Sequence, residues 1–372
     1  MKIVHLADSH LGASSGSARL TPEGWNQREE DFIRVFETAI EKTVEMEPDL
    51  VLHAGDMFHI PRPTNRIIAR AARALMKLAD AGIPTIVISG NHDTPKQRSI
   101  GSVFQVMELV PDIEFVYQGK YERIDVDDCA VHAIPHCLSQ EDFERELDQA
   151  RADKTADFNI LLAHGVVSSI PEFSMNEFSE QFIPDSKMVD FDYVALGHYH
   201  GYTRVFPNCY YAGSSERLSI AEAGQVKGMI ELNLPGPEIK FHELPARPMV
   251  RITQIDASGM DSRAVKESIQ RKLSEHKIDD AIVHLEVHDI PEETASQISR
   301  EEIDELLSDA FQYNYKALKK EGYAALTEQD INIGNLELEF GKFLDNQVVE
   351  NLDKEEIRKR GLFYLNTARR ED

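Results

Sequence analysis

No apolar run in the 372 residues approaches the roughly 18–20 that a membrane-spanning helix needs, so no span is expected. The chain opens at Met1 directly into a strand-like run, which leaves no room for a signal peptide. Cysteine is scarce: Cys129, Cys137 and Cys209 are an odd, scattered set. That excludes a disulfide framework and fits three buried thiols in a reducing cytoplasm, free or nucleoid-associated. Positive charge is also short, with 40 Lys and Arg against 65 Asp and Glu, for a net charge of −25. Nucleic-acid enzymes are expected to be basic somewhere, so this balance weighs against a simple DNA-binding surface. Local concentration of positive charge, bound metal or an unusually salty cytoplasm would each account for it. Internal repeats and low-complexity runs are absent.

What is present is an ordinary globular composition, 42 % apolar and 28 % charged, long enough for two or three domains. From Met1 to about Leu244, strand-like runs alternate with amphipathic ones. Asp31–Val44 has helical spacing, and Thr64 is placed to cap a helix running to about Ala81. Val103–Leu109 is a further amphipathic stretch, and Glu141–Ala152 reads as an acidic surface helix. After His200 the pattern turns to consecutive short strands. Alternation followed by strands predicts an α/β fold, two sheets stacked face to face with helices outside. A smaller α/β module follows, and then a charged tail with apolar clusters such as Leu336, Leu338 and Phe340, and Leu362, Phe363 and Tyr364. The expected division is 1–246, 247–328 and 329–372.

The candidate chemistry lies just past the strand ends, where open α/β folds bind ligands. Asp8 and His10 follow the first strand. Gly55-Asp56 follows Leu50–Ala54, and Asn91-His92 follows Pro84–Ser89. His164 ends the run from Asn159, and His198 and His200 follow Tyr193–Leu196. Asp56 is the candidate carboxylate to bridge two metal ions. Two ions about 3.5–4 Å apart form a clamp for phosphate-ester hydrolysis. Asp8 and His10 straddle a turn and can reach one ion together, whereas His198 and His200 can serve different ions. The amide oxygen of Asn91, in a mixed oxygen and nitrogen set without cysteine, suits Mn²⁺ or Mg²⁺ better than structural zinc. His92 is the candidate to protonate a leaving oxygen or to steady the phosphate. His59 is placed to touch nucleic acid or tune the site, with a loop histidine of no direct role as the nearly equal alternative. His5, His53, His132 and His136 are expected to pack in the fold, and His284 and His288 to be surface or packing residues.

The order Asp8-x-His10, Gly55-Asp56, Gly90-Asn91-His92-Asp93, His164, Gly197-His198-Tyr199-His200 resembles the calcineurin-like metallophosphoesterase superfamily, over residues 1 to about 245. Val4–Gly12, Leu52–His59 and Tyr211–Arg217 are similar more narrowly to SbcD-type DNA double-strand-break repair exonucleases. That resemblance implies one Mn²⁺ held by Asp8, His10, Asp56 and His200, and another by Asp56, Asn91, His164 and His198, with Mg²⁺ a possible substitute. It implies His92 as the phosphate-side acid and His59 as a residue of exonuclease action on duplex ends. It also implies 3′–5′ exonuclease and single-strand endonuclease activity on DNA, with 247–328 capping the DNA. The tail would dock an SMC-like coiled-coil ATPase, and the chain would form a homodimer through the apolar faces of 64–81 and 98–110, faces that core packing explains equally well. A phosphoesterase acting on small nucleotides or phosphoproteins, and a non-enzymatic scaffold tethering DNA ends, are the alternatives.

Overall fold

The computed structural model describes residues 1–14, 19–168, 181–236 and 238–319, together with 354 and 358–360. The chain begins with β1 (Lys2–Leu6), α1 (Gln27–Met46), β2 (Leu50–Ala54), α2 (Asn65–Asp80) and β3 (Thr85–Ile88). It continues through α3 (Phe104–Met107), β4 (Ile113–Val116), β5 (Glu122–Val126), β6 (Cys129–Ile134), α4 (Gln140–Leu147) and β7 (Phe158–His164). Then come β8 (Val166–Val167), β9 (Phe182–Ile183), β10 (Tyr193–Gly197), β11 (Thr203–Phe206), β12 (Cys209–Tyr211), β13 (Gly228–Asn233) and β14 (Glu238–Glu243).

These strands form two six-stranded sheets, ordered β14-β13-β1-β2-β3-β4 and β11-β12-β10-β7-β6-β5, with β8 and β9 paired apart. The α/β sandwich expected from the strand–helix alternation is therefore what the chain forms. Because successive strand residues face opposite sides, each sheet has two buried faces. Ile3, Leu50, Leu52, Ile86 and Ile88 meet Val131, Ala133, Ile160, Leu162 and Ala195 between the sheets. Val4, Leu6, Val51 and Val87 face the other way, under Phe36 and Ile40 of α1 and Leu75 and Leu78 of α2. Leu161, Ala163, Val194 and Leu196 likewise lie under Phe143 and Leu147 of α4. Each of these Val, Leu, Ile and Phe side chains contributes about 1.5–3 kcal/mol by leaving water, and the alanines less.

The local elements differ from the sequence expectation where capping decides. Helix α1 starts a turn before Asp31, because the Asn26 side chain accepts from the backbone N–H groups of Arg28 and Glu29. Thr64 caps α2 as expected, its side chain accepting from Ile67 N. The amphipathic stretch 103–109 yields only the four-residue α3, which leaves Val106 and Leu109 exposed. The face of α2 carrying Ile67, Ala71, Leu75 and Leu78 is buried in the chain's own core, whereas Met76 is exposed. His5 and His53 are buried, bonded to the Tyr193 hydroxyl (3.0 Å) and to Ser9 Oγ (2.9 Å) respectively. His132 meets the Tyr121 hydroxyl at 2.9 Å. The three cysteines are buried and free. None of the described helices is long and apolar enough to cross a membrane.

Beyond β14 the chain forms β15 (Met249–Asp256), α5 (Ser262–Ser274), β16 (Ile282–Ile290), α6 (Glu292–Gln297), α7 (Arg300–Leu306) and β17 (Gln312–Lys319). The three strands make a parallel sheet with β16 in the middle and a core of its own, including Val265, Ile269, Val283, Leu285 and Ile303. The start signal at Pro291 opens a separate short helix, and Ser299 with Glu302 forms a capping box for the next. His284 is buried and His288 half-buried, flanking Glu286 on β16. Residues Met1–Lys319 form one compact unit and Lys320–Asp372 a second. The tail expected at 329–372 lies outside the described residues, apart from 354 and 358–360.

Arg247, just before β15, joins the third sheet to the sandwich. Its guanidinium makes a two-point ion pair with Asp31 of α1, at 2.5 and 2.8 Å, and lies 3.9 Å from the centroid of the Phe311 ring. The fully buried Arg28 bonds the same Asp31 at 3.0 Å and approaches Glu216 at 3.6 Å.

Candidate metal centre

The parallel strands β1, β2 and β3 of one sheet and β7 and β10 of the other end at the same rim. Their neighbours pair in register, with Leu6 opposite His53, Ala54 opposite Ile88 and His164 opposite Gly197. The turns beyond them are held to one another: Asp8 N donates to Gly55 O and His10 N to Asp56 O, both at 3.0 Å. Four residues here have positive φ without being glycine: Asp8 (50°), His10 (43°), Asp56 (51°) and His198 (99°). Such conformations cost on the order of 1–3 kcal/mol each and persist where the surroundings impose them.

All nine candidate residues come together at this rim. Asn91 Oδ1 lies 2.9 Å from His164 Nε2 and 3.2 Å from His198 Nδ1, and His164 Nε2 lies 3.4 Å from Asp56 Oδ2. Beside that group, His10 Nε2 is 3.0 Å from His200 Nε2 and 3.9 Å from Asp56 Oδ2. Asp8, His10 and His200 offer ligand atoms all within 4.8 Å of one another, as do Asp8, Asp56 and His164. Asp56 thus borders both groups. His92 sits alongside, its backbone N–H donating to Asp56 Oδ1 at 2.8 Å. The His92 ring stacks on His59 at 5.2 Å and meets His10 edge-on at 4.7 Å.

The donor set fits divalent metal. His164 Nδ1 donates to Ala54 O at 2.8 Å and His200 Nδ1 to a carboxylate oxygen of Glu222 at 3.1 Å. In their neutral forms both rings therefore turn an Nε2 lone pair inward, one toward the Asn91 amide oxygen and the other toward His10 Nε2. Lone pairs facing at about 3 Å repel unless a cation lies among them, and the oxygen and nitrogen donors match Mn²⁺ or Mg²⁺ better than a thiolate-seeking ion.

The electrostatics agree. Burial pushes the Asp8 carboxyl up to about 6, against the pull of His164 and His200. Burial acts the same way on Asp56, but His164 and His10 outweigh it and hold its carboxyl well below the usual range. Burial lowers an imidazole, yet Asp56 and Asp8 raise His164 to about 9. In the chain alone, then, a proton answers the two carboxylates, and a divalent cation would supply that charge more fully.

Space is as tightly fixed as charge. A Cβ on Gly197 would lie 1.9 Å from Ala54 O and 2.9 Å from His164 Nδ1. Asp93 accepts from Met57 N (3.1 Å), Phe58 N (2.7 Å) and Gly90 N (3.1 Å), tying the turn of Asp56 to that of Asn91. Burial and the Asp56 charge push its carboxyl up to about 8. The Gly-Asn-His-Asp run contains Asp93 but gives no hint of this clamp. Glu222 and Lys227, behind His200, carry no sequence signal at all.

A two-sheet α/β sandwich with Asp, Asn and His gathered at its strand ends defines a protein of the metallophosphoesterase class. The profile of the calcineurin-like phosphoesterase family matches residues 1–202, and the chain belongs to that family. It is 31 % identical over 242 residues to the DNA double-strand break repair protein Mre11 of Methanococcus maripaludis, covering 61 % of this chain and 60 % of that protein. The Thermoplasma acidophilum protein of the same name is 28 % identical over 313 residues, 79 % of each chain. The Haloferax volcanii one is 28 % identical over 292 residues, 77 % of this chain and 61 % of that one. The chain thus spans about three fifths of the first and third relatives.

Proposed function

We propose that this chain is a Mn²⁺-dependent DNA nuclease of double-strand-break repair, cutting duplex DNA from 3′ ends and single strands internally, with Mg²⁺ able to substitute. Asp8, His10, Asp56 and His200 hold one ion, and Asp56, Asn91, His164 and His198 the other. The observation that carries this reading is the convergence of seven O and N donors on one rim, with Asp56 bordering both groups. The similarity to repair proteins supplies the substrate.

When bound, the ion pair polarises the phosphodiester and provides a nucleophile from water. The chain's own residues do the rest. His92 Nδ1 donates to His59 O at 2.9 Å, which fixes the ring, so that in its doubly protonated form Nε2 is the nitrogen that gives a proton to the leaving oxygen and is left with a lone pair. His59, stacked on that ring, positions it and faces the duplex end. The positive φ angles at Asp8, His10, Asp56 and His198 preorganise the donors before substrate arrives.

In this reading residues 1–246 are the nuclease domain, 247–328 cap the DNA and 329–372 dock an SMC-like coiled-coil ATPase. A homodimer forms through the 64–81 and 98–110 segments, where Met76, Val106 and Leu109 stay exposed. The test is cleavage of end-labelled duplex DNA with Mn²⁺, Mg²⁺ or chelator. Wild type should shorten 3′ ends only with metal, and His92→Ala should lose about 10²–10⁴-fold in rate while still binding Mn²⁺. Turnover of a small phosphodiester with no cut in duplex or single-stranded DNA would instead support the small-substrate enzyme.

A further inference from the structure

Behind His200 the chain places a buried ion pair that no step above uses. Lys227 is 1 % exposed and Glu222 7 % exposed. The Lys227 ammonium bonds Glu222 Oε2 at 2.5 Å, Ser214 Oγ at 2.8 Å, the His200 carbonyl at 2.9 Å and Gln225 Oε1 at 3.0 Å. The other Glu222 oxygen accepts from His200 Nδ1 at 3.1 Å. Every hydrogen-bond acceptor of this ammonium thus belongs to His200 or to the loop behind it.

We propose that Glu222 and Lys227 are positioning residues for a single metal site: Glu222 fixes which His200 nitrogen turns toward the metal, and Lys227 locks both Glu222 and the His200 main chain. This rests on the metal-centre reading above. The geometry argues for it in three ways. First, an imidazole ligand needs its outer nitrogen protonated and anchored, and a carboxylate is the strongest neutral-pH anchor. Second, a buried ion pair contributes little net stability compared with apolar residues of similar size. Its presence here is better explained by what it orients. Third, the hydrogen bonds that the pair makes to a ligand residue all go to His200. His164 takes its anchor from Ala54 O, and the backbone of His198 is held separately, through its N–H to Asp8.

The loop also reaches the third sheet. The turn Ile220–Glu222 packs on β15. Arg217 lies on the same loop and donates to Arg247 O at 2.9 Å and to Gln225 O at 2.5 Å. The orientation of one ligand is therefore set by a segment that the third sheet also braces.

The experiment is calorimetric titration of the metal-free chain with Mn²⁺. Wild type is compared with Glu222→Leu/Lys227→Met, which removes the pair without leaving a lone buried charge, and with Glu222→Gln/Lys227→Met, which also leaves no lone charge but keeps an acceptor oxygen for His200 Nδ1. Wild type should bind two ions. Glu222→Leu/Lys227→Met should lose about 10–100-fold in affinity for one of them and less than twofold for the other. His200→Ala should weaken the same ion, and Asn91→Ala the opposite one. Glu222→Gln/Lys227→Met should recover part of the lost affinity, through the restored acceptor for His200 Nδ1. Thermal unfolding confirms that each variant is folded. Two ions bound with unchanged affinities by folded Glu222→Leu/Lys227→Met would overturn the positioning role alone. Equal weakening of both ions would overturn it too, because it would mark a general loosening of the rim. Failure of wild type to bind two ions would overturn the metal-centre reading and this role with it.

Discussion

Gly90→Ala is expected to reduce DNA cleavage by at least about 100-fold and to weaken Mn²⁺ binding, although the change adds one methyl group and no charge. A Cβ at this position would lie 2.1 Å from Asp56 Oδ1, 2.7 Å from its Cγ and 2.6 Å from its backbone nitrogen. Two of these atoms belong to the carboxylate that borders both donor groups. The third is main chain and cannot swing away. Asp56 must therefore move, and its turn is held from the other side by Asp93, whose carboxylate spans Phe58 N and Gly90 N. A displacement of about 1 Å in such a site suffices for a hundredfold loss in rate. Overpacking of this kind also costs about 1–3 kcal/mol of stability. Gly82→Ala is the control: nothing lies within 4 Å of its Cβ, but φ there is +69°. It should lower stability modestly and leave metal binding untouched. Calorimetric Mn²⁺ titration with cleavage rates on both variants decides the matter. Full affinity and full rate in Gly90→Ala would show that the turn yields more readily than its contacts indicate.

Arg247→Ala should cost about 3 kcal/mol of stability at neutral pH, with the loss measured by denaturant unfolding. The side chain is almost fully buried, and it gives Asp31 a two-point ion pair. Its removal strands much of the Asp31 charge, although Arg28 remains at 3.0 Å and keeps the effect toward the lower end for a broken buried pair. It also removes the guanidinium lying 3.9 Å from the Phe311 ring, while that of Arg19 stays at 5.0 Å. Acid should narrow the gap. Burial pushes the Asp31 carboxyl up, but Arg247 and Arg28 outweigh it and hold it below the ordinary value. A carboxyl depressed in the folded state contributes stability that is fully present above its unfolded value of about 3.9 and is lost as pH falls through the folded value. The difference between wild type and variant should accordingly shrink below about pH 4. A constant difference from pH 7 to pH 3 would mean that packing on Phe311, rather than the charge pair, carries the effect.

The metal-type residues were legible in the sequence because each follows an apolar run. A strand buried on both faces is a near-continuous apolar string, and its end marks a rim. Asp8, Asp56, Asn91, His164 and His198 all announce themselves that way, and so does the sandwich, through the alternation of such strings with amphipathic helices. The buried thiols and the Thr64 cap follow from equally local rules. Helix α1 was read a turn too short because Asn26 and the first turn are polar, so the cap, not the apolar spacing, sets its start. In strand β17, Gln312–Lys319, the alternation of Tyr313, Tyr315 and Ala317 is short, Leu318 breaks it, and pairing with β16 decides the strand.

What tertiary structure alone decided is the support around the site. The clamp by Asp93, the need for no side chain at Gly90 and Gly197, the Glu222–Lys227 pair and the Arg247–Asp31 link all depend on groups brought together from distant positions. Spacing along the chain encodes the direction of a side chain within one strand or helix. It does not encode which carbonyl, carboxylate or ring arrives across the gap between sheets, so the residues that gather at this rim could be read from the sequence and the groups that hold them could not.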